Sequence, residues 1–200
     1  KGLNCGLGSK DKISCVRSNL KIVKNKISKK SKDIFLLHQV HSNDFIFIDQ
    51  NYKFNKKKIK ADAIITNQKN LPIAVLTADC VPVLLYDKKK NIIAAIHVGW
   101  KGAFKNIIKK VISFMLSKGC KRKFITAAIG PCIRQRSYNV KDDFKKKFIK
   151  KDKKNRIFFK IKKDIIYFDL PGFVNSQLKS NKIRNIDIIN IDTFDKKNNF

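Results

Sequence analysis

The sequence lacks the features that mark secreted, membrane-spanning and disulfide-stabilised proteins. No uninterrupted apolar run approaches the roughly 18 residues of a membrane-spanning helix. The first residues also lack the charged start and apolar core of a secretion signal. The five cysteines form an odd number with no C-x-x-C pair, which argues against a disulfide framework. These absences predict a cytoplasmic protein without a membrane partner.

Acidic residues are scarce. The chain has 15 Asp and Glu residues against 46 Lys and Arg residues, which gives a net charge of +31. Such a charge usually indicates a nucleic-acid partner. Here the lysines are spread over the whole chain beside abundant Asn, Ile and Phe, whose codons are also A/T-rich. Genome composition therefore explains the charge, and we predict no specific nucleic acid, only weak, salt-sensitive binding to polyanions. The densest lysine cluster surrounds Phe144 and Phe148 at helical spacing, which indicates the solvated face of a helix.

Neither a repeat nor a low-complexity linker divides the 200 residues, so the chain predicts one α/β (α+β) domain over residues 1–200. We expect mixed β-sheets flanked by helices. The clearest helix runs from Phe104 to Met115 with Gly119 as its C-cap, and another begins at the N-cap Asp169. Because the chain starts without Met and ends abruptly, we expect a fragment truncated at its C-terminus. Short apolar runs predict strands at 34–37, 45–48, 61–67, 73–76, 83–86, 92–96, 124–129, 157–161, 165–168 and 186–191.

Two of these apolar runs end in residues with metal chemistry. The run 73–76 leads to Cys80, and the run 92–96 leads to His97; a hairpin joins the two regions. His41 follows a third run in the same way. Zinc binds thiolate and imidazole together, and three protein ligands leave a fourth position for water or substrate. Spacing alone leaves this triad a candidate, because lone buried cysteines are usually inert and such widely separated ligands form no short motif.

The same residues could also serve a reaction that uses no metal. Cys80 as a nucleophile with His97 as its base would make a hydrolase. Asp79 is either a turn cap or an acid/base group, and Lys101 is either solvated or anion-binding. Trp100 is more typical of a packing residue than of a stacking platform.

Five motifs occur in a fixed order. They are His38-Gln39-Val40-His41-Ser42, Ala61-Asp62-Ala63, Thr77-Ala78-Asp79-Cys80-Val81-Pro82, His97-Val98-Gly99-Trp100-Lys101-Gly102 and Gly130-Pro131-Cys132-Ile133. With these motifs the sequence resembles the YfiH-like laccase-domain proteins, formerly known as multicopper polyphenol oxidases and now described as zinc-dependent purine nucleoside phosphorylases. The likeness extends over nearly the whole chain.

The resemblance implies a single α/β domain that binds zinc through His41, Cys80 and His97. It implies phosphorolysis of adenosine, inosine, guanosine and methylthioadenosine, together with deamination of adenosine. Purine nucleosides and phosphate are then the partners, and we expect a monomer or a weak homodimer. With three histidines the chain cannot build a multicopper cluster, so copper is disfavoured. From their chemistry and position, we also predict Cys80, Asp79 and Lys101 as catalytic residues and Gln39, Arg134 and Arg136 as substrate-binding residues.

Some residues depart from the family pattern. Lys101 stands where arginine is usual, which keeps the positive charge and loses the bidentate fork. Asn139 replaces a usual Glu, and Arg134-Gln135-Arg136-Ser137 replaces a Gly-Pro-Cys-Cys segment. A helix start at Gly102 is a further candidate for phosphate contact. Two other functions stay open: a cysteine amidase that edits peptidoglycan precursors, and a polyanion-binding protein without catalysis.

Overall fold

A computed structural model of the chain describes residues 3–27, 31, 33–54 and 59–195. It confirms the predicted α/β class, with two sheets and flanking helices. The strands are Phe45–Ile48 (β1), Ala63–Thr66 (β2), Val81–Asp87 (β3), Ile92–Val98 (β4), Ile125–Ile129 (β5), Asn139–Val140 (β6), Phe159–Lys162 (β7), Ile165–Phe168 (β8) and Asn185–Ile188 (β9). The helices are Ile13–Ile27 (α1), Trp100–Phe104 (α2), Ile107–Ser117 (α3), Asp142–Lys151 (α4) and Leu170–Ser180 (α5).

The larger sheet has the strand order β1-β2-β4-β3-β5-β9, and the smaller has the order β6-β8-β7. The larger sheet is mixed: β1 pairs with β2 and β5 with β9 in parallel, and the other pairs are antiparallel. The predicted hairpin is the central β3–β4 pair, in which Val81 lies opposite Val98 and Pro82 opposite His97. The start of β3 therefore lies beside the end of β4, which brings Cys80 towards His97.

Both faces of the larger sheet are covered at β2 and β4, which is why these strands are almost continuously apolar. In β3 buried and more exposed residues alternate, and Leu84 and Tyr86 are exposed. Alternate residues of β2 point to opposite faces: Ile65 joins the main core, and Ile64 joins a smaller cluster. Helix α3 supplies the main core with the apolar face predicted from its spacing. Its fully buried residues are Ile107, Ile108, Val111, Ile112 and Met115.

The predicted helix over 104–115 is wrong at its start. Helix α2 ends at Phe104 and α3 begins at Ile107, because Asn106 adopts a left-handed backbone with φ of 60° that cannot continue a helix. Helix α2 begins at Trp100, so the helix start expected at Gly102 is also wrong. A side chain at Gly102 would place its Cβ 2.9 Å from the carbonyl oxygen of Ser42, so this glycine allows close packing against the His41 segment.

The predicted strands at 34–37 and 73–76 form only one isolated bridge, between Phe35 and Ile73. At the end of the second segment, a side chain takes the place of a strand partner. The Gln39 amide accepts from the backbone N–H of Leu76 and donates to its carbonyl, both at 2.7 Å, so these groups are bonded to a side chain.

The C-terminal half follows the predicted pattern more closely. The lysine-rich helix is α4, in which Phe148 is fully buried, and Asp169 caps α5 by accepting from the N–H of Gly172 at 2.9 Å. The strand predicted at 157–161 begins only at Phe159, because Lys153–Phe158 forms a 3-10 helix. Within the described ranges, no helix combines the length and apolar character that crossing a membrane requires.

Candidate metal and substrate site

Three predicted ligands converge at one edge of the larger sheet. His97 is the penultimate residue of β4, Cys80 precedes β3 directly, and His41 lies in the loop before β1. One ligand atom from each lies within 4.8 Å of the others. The Cys80 Sγ and His41 Nε2 atoms are 3.8 Å apart, and the ring centres of His41 and His97 are 4.8 Å apart. Bonds to tetrahedral zinc separate such ligand atoms by about 3.3 to 3.8 Å. The Cys80–His41 distance matches this spacing, and the whole set needs a contraction of about 1 Å to hold one ion.

A buried carboxylate, Asp62, organises two of these ligands. His97 Nδ1 donates to Asp62 Oδ1 at 2.8 Å, which leaves His97 Nε2 free for a metal. The same carboxylate accepts from the backbone N–H groups of His41 at 3.0 Å and Ser42 at 2.6 Å, and from the Ser42 hydroxyl at 2.8 Å. These bonds hold His41 in a left-handed backbone conformation with φ of 57°. Asp62 therefore fixes the ring of one ligand and the backbone of another.

The electrostatics of the Asp62–His97 pair favour opposite charges. Burial alone raises the pKa of Asp62, but hydrogen bonds from His97, Ser42 and Val40 outweigh it and lower the pKa to about 2. Burial alone lowers the pKa of His97, but the bond to Asp62 and the interactions with Cys80 raise it to about 9. Without a metal, His97 is thus protonated at neutral pH, and a metal that binds there displaces this proton.

Position 99 needs glycine because two of the ligands, His41 and Cys80, pack against its Cα. Its φ of −73° suits any residue, but a Cβ at this position would lie 2.8 Å from His41 Cδ2 and 3.1 Å from Cys80 Sγ.

Replacing Gly99 with alanine is therefore expected to weaken zinc binding by about 10–100-fold, because two ligands must move apart. Isothermal titration with zinc measures this loss. Gly8→Ala is the control, since a Cβ there meets nothing within 4 Å. Equal zinc affinity in the two variants would contradict the placement of the ligands.

Two of the ligands, His41 and Cys80, line a cavity of about 330 Å³, which is within the range of small-molecule sites. Its polar end holds His41 and Cys80 with the predicted catalytic residues Asp79 and Lys101. Asp79 Oδ1 accepts from the Thr193 hydroxyl at 2.9 Å. The remaining wall is mainly apolar and is formed by Trp100, Ile133, Tyr138 and Leu170.

The three predicted substrate-binding residues lie elsewhere. Gln39 is not among the residues that line the cavity, and its amide is bonded to Leu76. Arg134 donates to the carbonyl oxygens of Ile189 and Ile191, and Arg136 pairs with Asp192 and Asp195 at 3.0 and 2.8 Å. Both guanidinium groups thus hold the segment after β9 through Nε and Nη2, and neither arginine lines the cavity.

Lys101 carries the positive charge nearest the cavity. Its Nζ lies 5.7 Å from the centre of the Trp100 ring, and a second ammonium, that of Lys147, lies 5.2 Å from the same ring. Trp100 also packs on Phe144, with ring centres 5.1 Å apart. Trp100 therefore has the predicted packing role and also forms part of the cavity wall.

The sequence pattern assigns no role to Asp62 or Tyr138. Asp62 carries one signal that points to it, because a carboxylate between two alanines at the start of an apolar strand must find hydrogen-bond partners when buried. Tyr138 carries no such signal, since its neighbours in the sequence are polar and it reaches the cavity only through the tertiary fold.

Residues 1–200 match the protein-family model described as multi-copper polyphenol oxidoreductase laccase. A purine nucleoside phosphorylase of Rickettsia conorii is 42% identical over 167 residues, covering 82% of this chain and 68% of the relative. A purine nucleoside phosphorylase of Clostridium acetobutylicum is 36% identical over 178 residues, covering 81% of this chain and 66% of the relative.

Solved structures show the same fold. The Bacillus licheniformis hypothetical protein YfiH superposes with a TM-score of 0.86 at 26% identity, covering 96% of this chain and 76% of that one. A Neisseria meningitidis protein superposes with a TM-score of 0.84 at 24% identity, covering 98% of this chain and 78% of that one. The expected family resemblance is therefore confirmed.

Proposed function

The chain belongs to the multi-copper polyphenol oxidoreductase laccase family, and we propose that it is a zinc-dependent purine nucleoside phosphorylase. We propose adenosine, inosine, guanosine and methylthioadenosine as substrates, and deamination of adenosine as a second activity. The observation that carries the proposal is the convergence of one thiol and two imidazoles beside a substrate-sized cavity, which His41 and Cys80 line. The names of the Rickettsia and Clostridium relatives support the phosphorylase reaction.

The donor set favours one zinc ion held by His41, Cys80 and His97. One sulfur and two imidazole nitrogens suit zinc and leave a position open. A multicopper cluster would need more histidines than the three in the chain. When bound, the ion supplies a Lewis acid at the polar end of the cavity. We also propose a cytoplasmic location, because all five cysteines are free.

The residues that line the cavity bind the purine, bind phosphate and exchange a proton. The apolar wall around Trp100 and Leu170 receives the flat purine and excludes water from it. Lys101 offers its ammonium to phosphate, since the two arginines are occupied by the segment after β9. Thr193 orients Asp79 through Oδ1, and the other carboxylate oxygen has no hydrogen-bond partner among the described residues. Asp79 can therefore exchange a proton with the substrate.

The test is incubation of the purified protein with adenosine, with and without phosphate, followed by chromatography of the products. We expect adenine and ribose 1-phosphate only when phosphate is present, inosine from the second activity, and one zinc per chain. Zinc-loaded protein that releases no adenine would contradict the phosphorylase proposal.

A cysteine amidase is the second candidate, and one observation favours it. Cys80, His97 and Asp62 stand in the order of a nucleophile, a base and the carboxylate that orients the base. Zinc on Cys80 would block its thiolate, so metal content separates the two functions. Active, metal-free protein that loses activity when Cys80 is alkylated would support the amidase and overturn the phosphorylase.

A further inference from the structure

Tyr138 places a hydroxyl without a partner in the wall of the cavity. The residue lines the cavity, and its hydroxyl forms no hydrogen bond with any residue that the structure describes. Tyr138 is half-buried, so its hydroxyl faces the space that a bound ligand would occupy. An unused donor at this position points to a ligand that accepts from it.

The side chain is held firmly, so the hydroxyl position is set by the fold. The ring centre of Tyr138 lies 5.9 Å from that of Phe168 and 6.4 Å from that of Phe144. Its backbone N–H donates to the carbonyl of Arg134 at 3.1 Å, and its carbonyl accepts from the N–H of Phe168 at 2.9 Å. Such a group is ready to bind a substrate without rearrangement.

The hydroxyl is also neutral at any working pH. Burial raises the pKa of Tyr138 to about 12, and the charges of Cys80 and Asp79 add to this effect. Tyr138 is therefore a hydrogen-bond donor and does not act as a phenolate.

We propose that the Tyr138 hydroxyl donates a hydrogen bond to the departing purine, which makes it a catalytic residue; this inference rests on the proposed phosphorylase function. In phosphorolysis the C1′–N9 bond breaks and its electron pair passes to the purine, while an oxygen of hydrogen phosphate bonds to C1′. Negative charge then grows on the ring nitrogens, so the bond from Tyr138 strengthens in the transition state. Tyr138 keeps its proton, and the proton that neutralises the released base comes from the hydrogen phosphate through solvent.

Tyr138→Phe tests this role, because it removes the oxygen and keeps the ring that packs on Phe144 and Phe168. We expect kcat for guanosine to fall by about tenfold or more, with KM changed less than about twofold. The N7-methylated analogue 7-methylguanosine carries a positive charge on the purine and needs no such donor. Its kcat is expected to stay the same in the variant.

Tyr86→Phe is the matched control, since Tyr86 lies near the other end of β3 from Cys80 and its hydroxyl donates to Asn91 at 3.2 Å. It should leave both reactions unchanged, and zinc content should equal that of the wild type in both variants. An equal loss of kcat on guanosine and 7-methylguanosine would indicate a structural role and overturn the inference, as would an unchanged kcat. If the wild type cleaves neither nucleoside, the phosphorylase function itself fails.

Discussion

Replacing Cys80 with serine is expected to remove bound zinc and nucleoside phosphorolysis together. The thiolate is the only sulfur among the three ligands, and a serine hydroxyl stays protonated at neutral pH and binds zinc poorly. We expect zinc affinity to fall by about 1,000-fold or more, beyond the 10–100-fold typical of residues that only support a ligand. Metal analysis after dialysis and the guanosine assay measure the two effects.

Cys15→Ser is the control, because Cys15 is an exposed free thiol on helix α1. This variant should keep the zinc and the activity of the wild type. Zinc retained at one ion per chain by Cys80→Ser would place the metal elsewhere. Zinc lost while activity persists would separate the metal from the reaction.

Replacing Asp62 with asparagine is expected to weaken zinc binding by about 10–100-fold and to destabilise the metal-free protein by about 3 kcal/mol. The carboxylate is fully buried and accepts from the His97 ring and from the backbone N–H groups of Val40, His41 and Ser42. An amide offers one acceptor atom in place of two and places its N–H₂ against these donors. Competition with a chromophoric chelator measures zinc affinity, and urea unfolding measures stability.

The same substitution should change how the stability of the metal-free protein depends on pH. The pKa of Asp62 is lowered from 3.8 to about 2, so its contribution is complete above pH 3.8 and is lost as the pH falls towards 2. The asparagine variant cannot titrate at this position, and this part of the acid dependence should disappear. Asp44→Asn is the control, because Asp44 forms an exposed pair with Lys110 whose loss should cost less than about 1 kcal/mol. Equal losses of stability in the two variants would contradict the organising role of Asp62.

The sequence contains enough information to predict the central hairpin and two of the three ligands. Apolar runs and a turn define β3 and β4, and antiparallel pairing then brings Cys80 to His97 because each stands at the same end of the pair. His41 comes from a loop more than thirty residues before Cys80. The apolar run before His41 makes it a candidate ligand, and the family resemblance then identifies it as the third ligand.

Interactions between distant segments account for most of what the sequence could not predict. The left-handed backbone of Asn106 divides a helix whose apolar spacing looks continuous. The sequence predicts Gln39 as a substrate contact, but in the structure its amide bonds to Leu76. It predicts Arg136 as a phosphate contact, but Arg136 pairs with Asp192 and Asp195. Each of these partners lies more than thirty residues away in the chain, beyond the reach of local patterns.

X-ray absorption at the zinc edge tests the central claim most directly, because it identifies the atoms bound to the metal in the full chain. The ligand set predicts one sulfur at about 2.3 Å and two imidazole nitrogens at about 2.0–2.1 Å, with one further light atom. A zinc ion surrounded only by nitrogen and oxygen in the wild type, or by two or more sulfurs, would contradict the site formed by His41, Cys80 and His97.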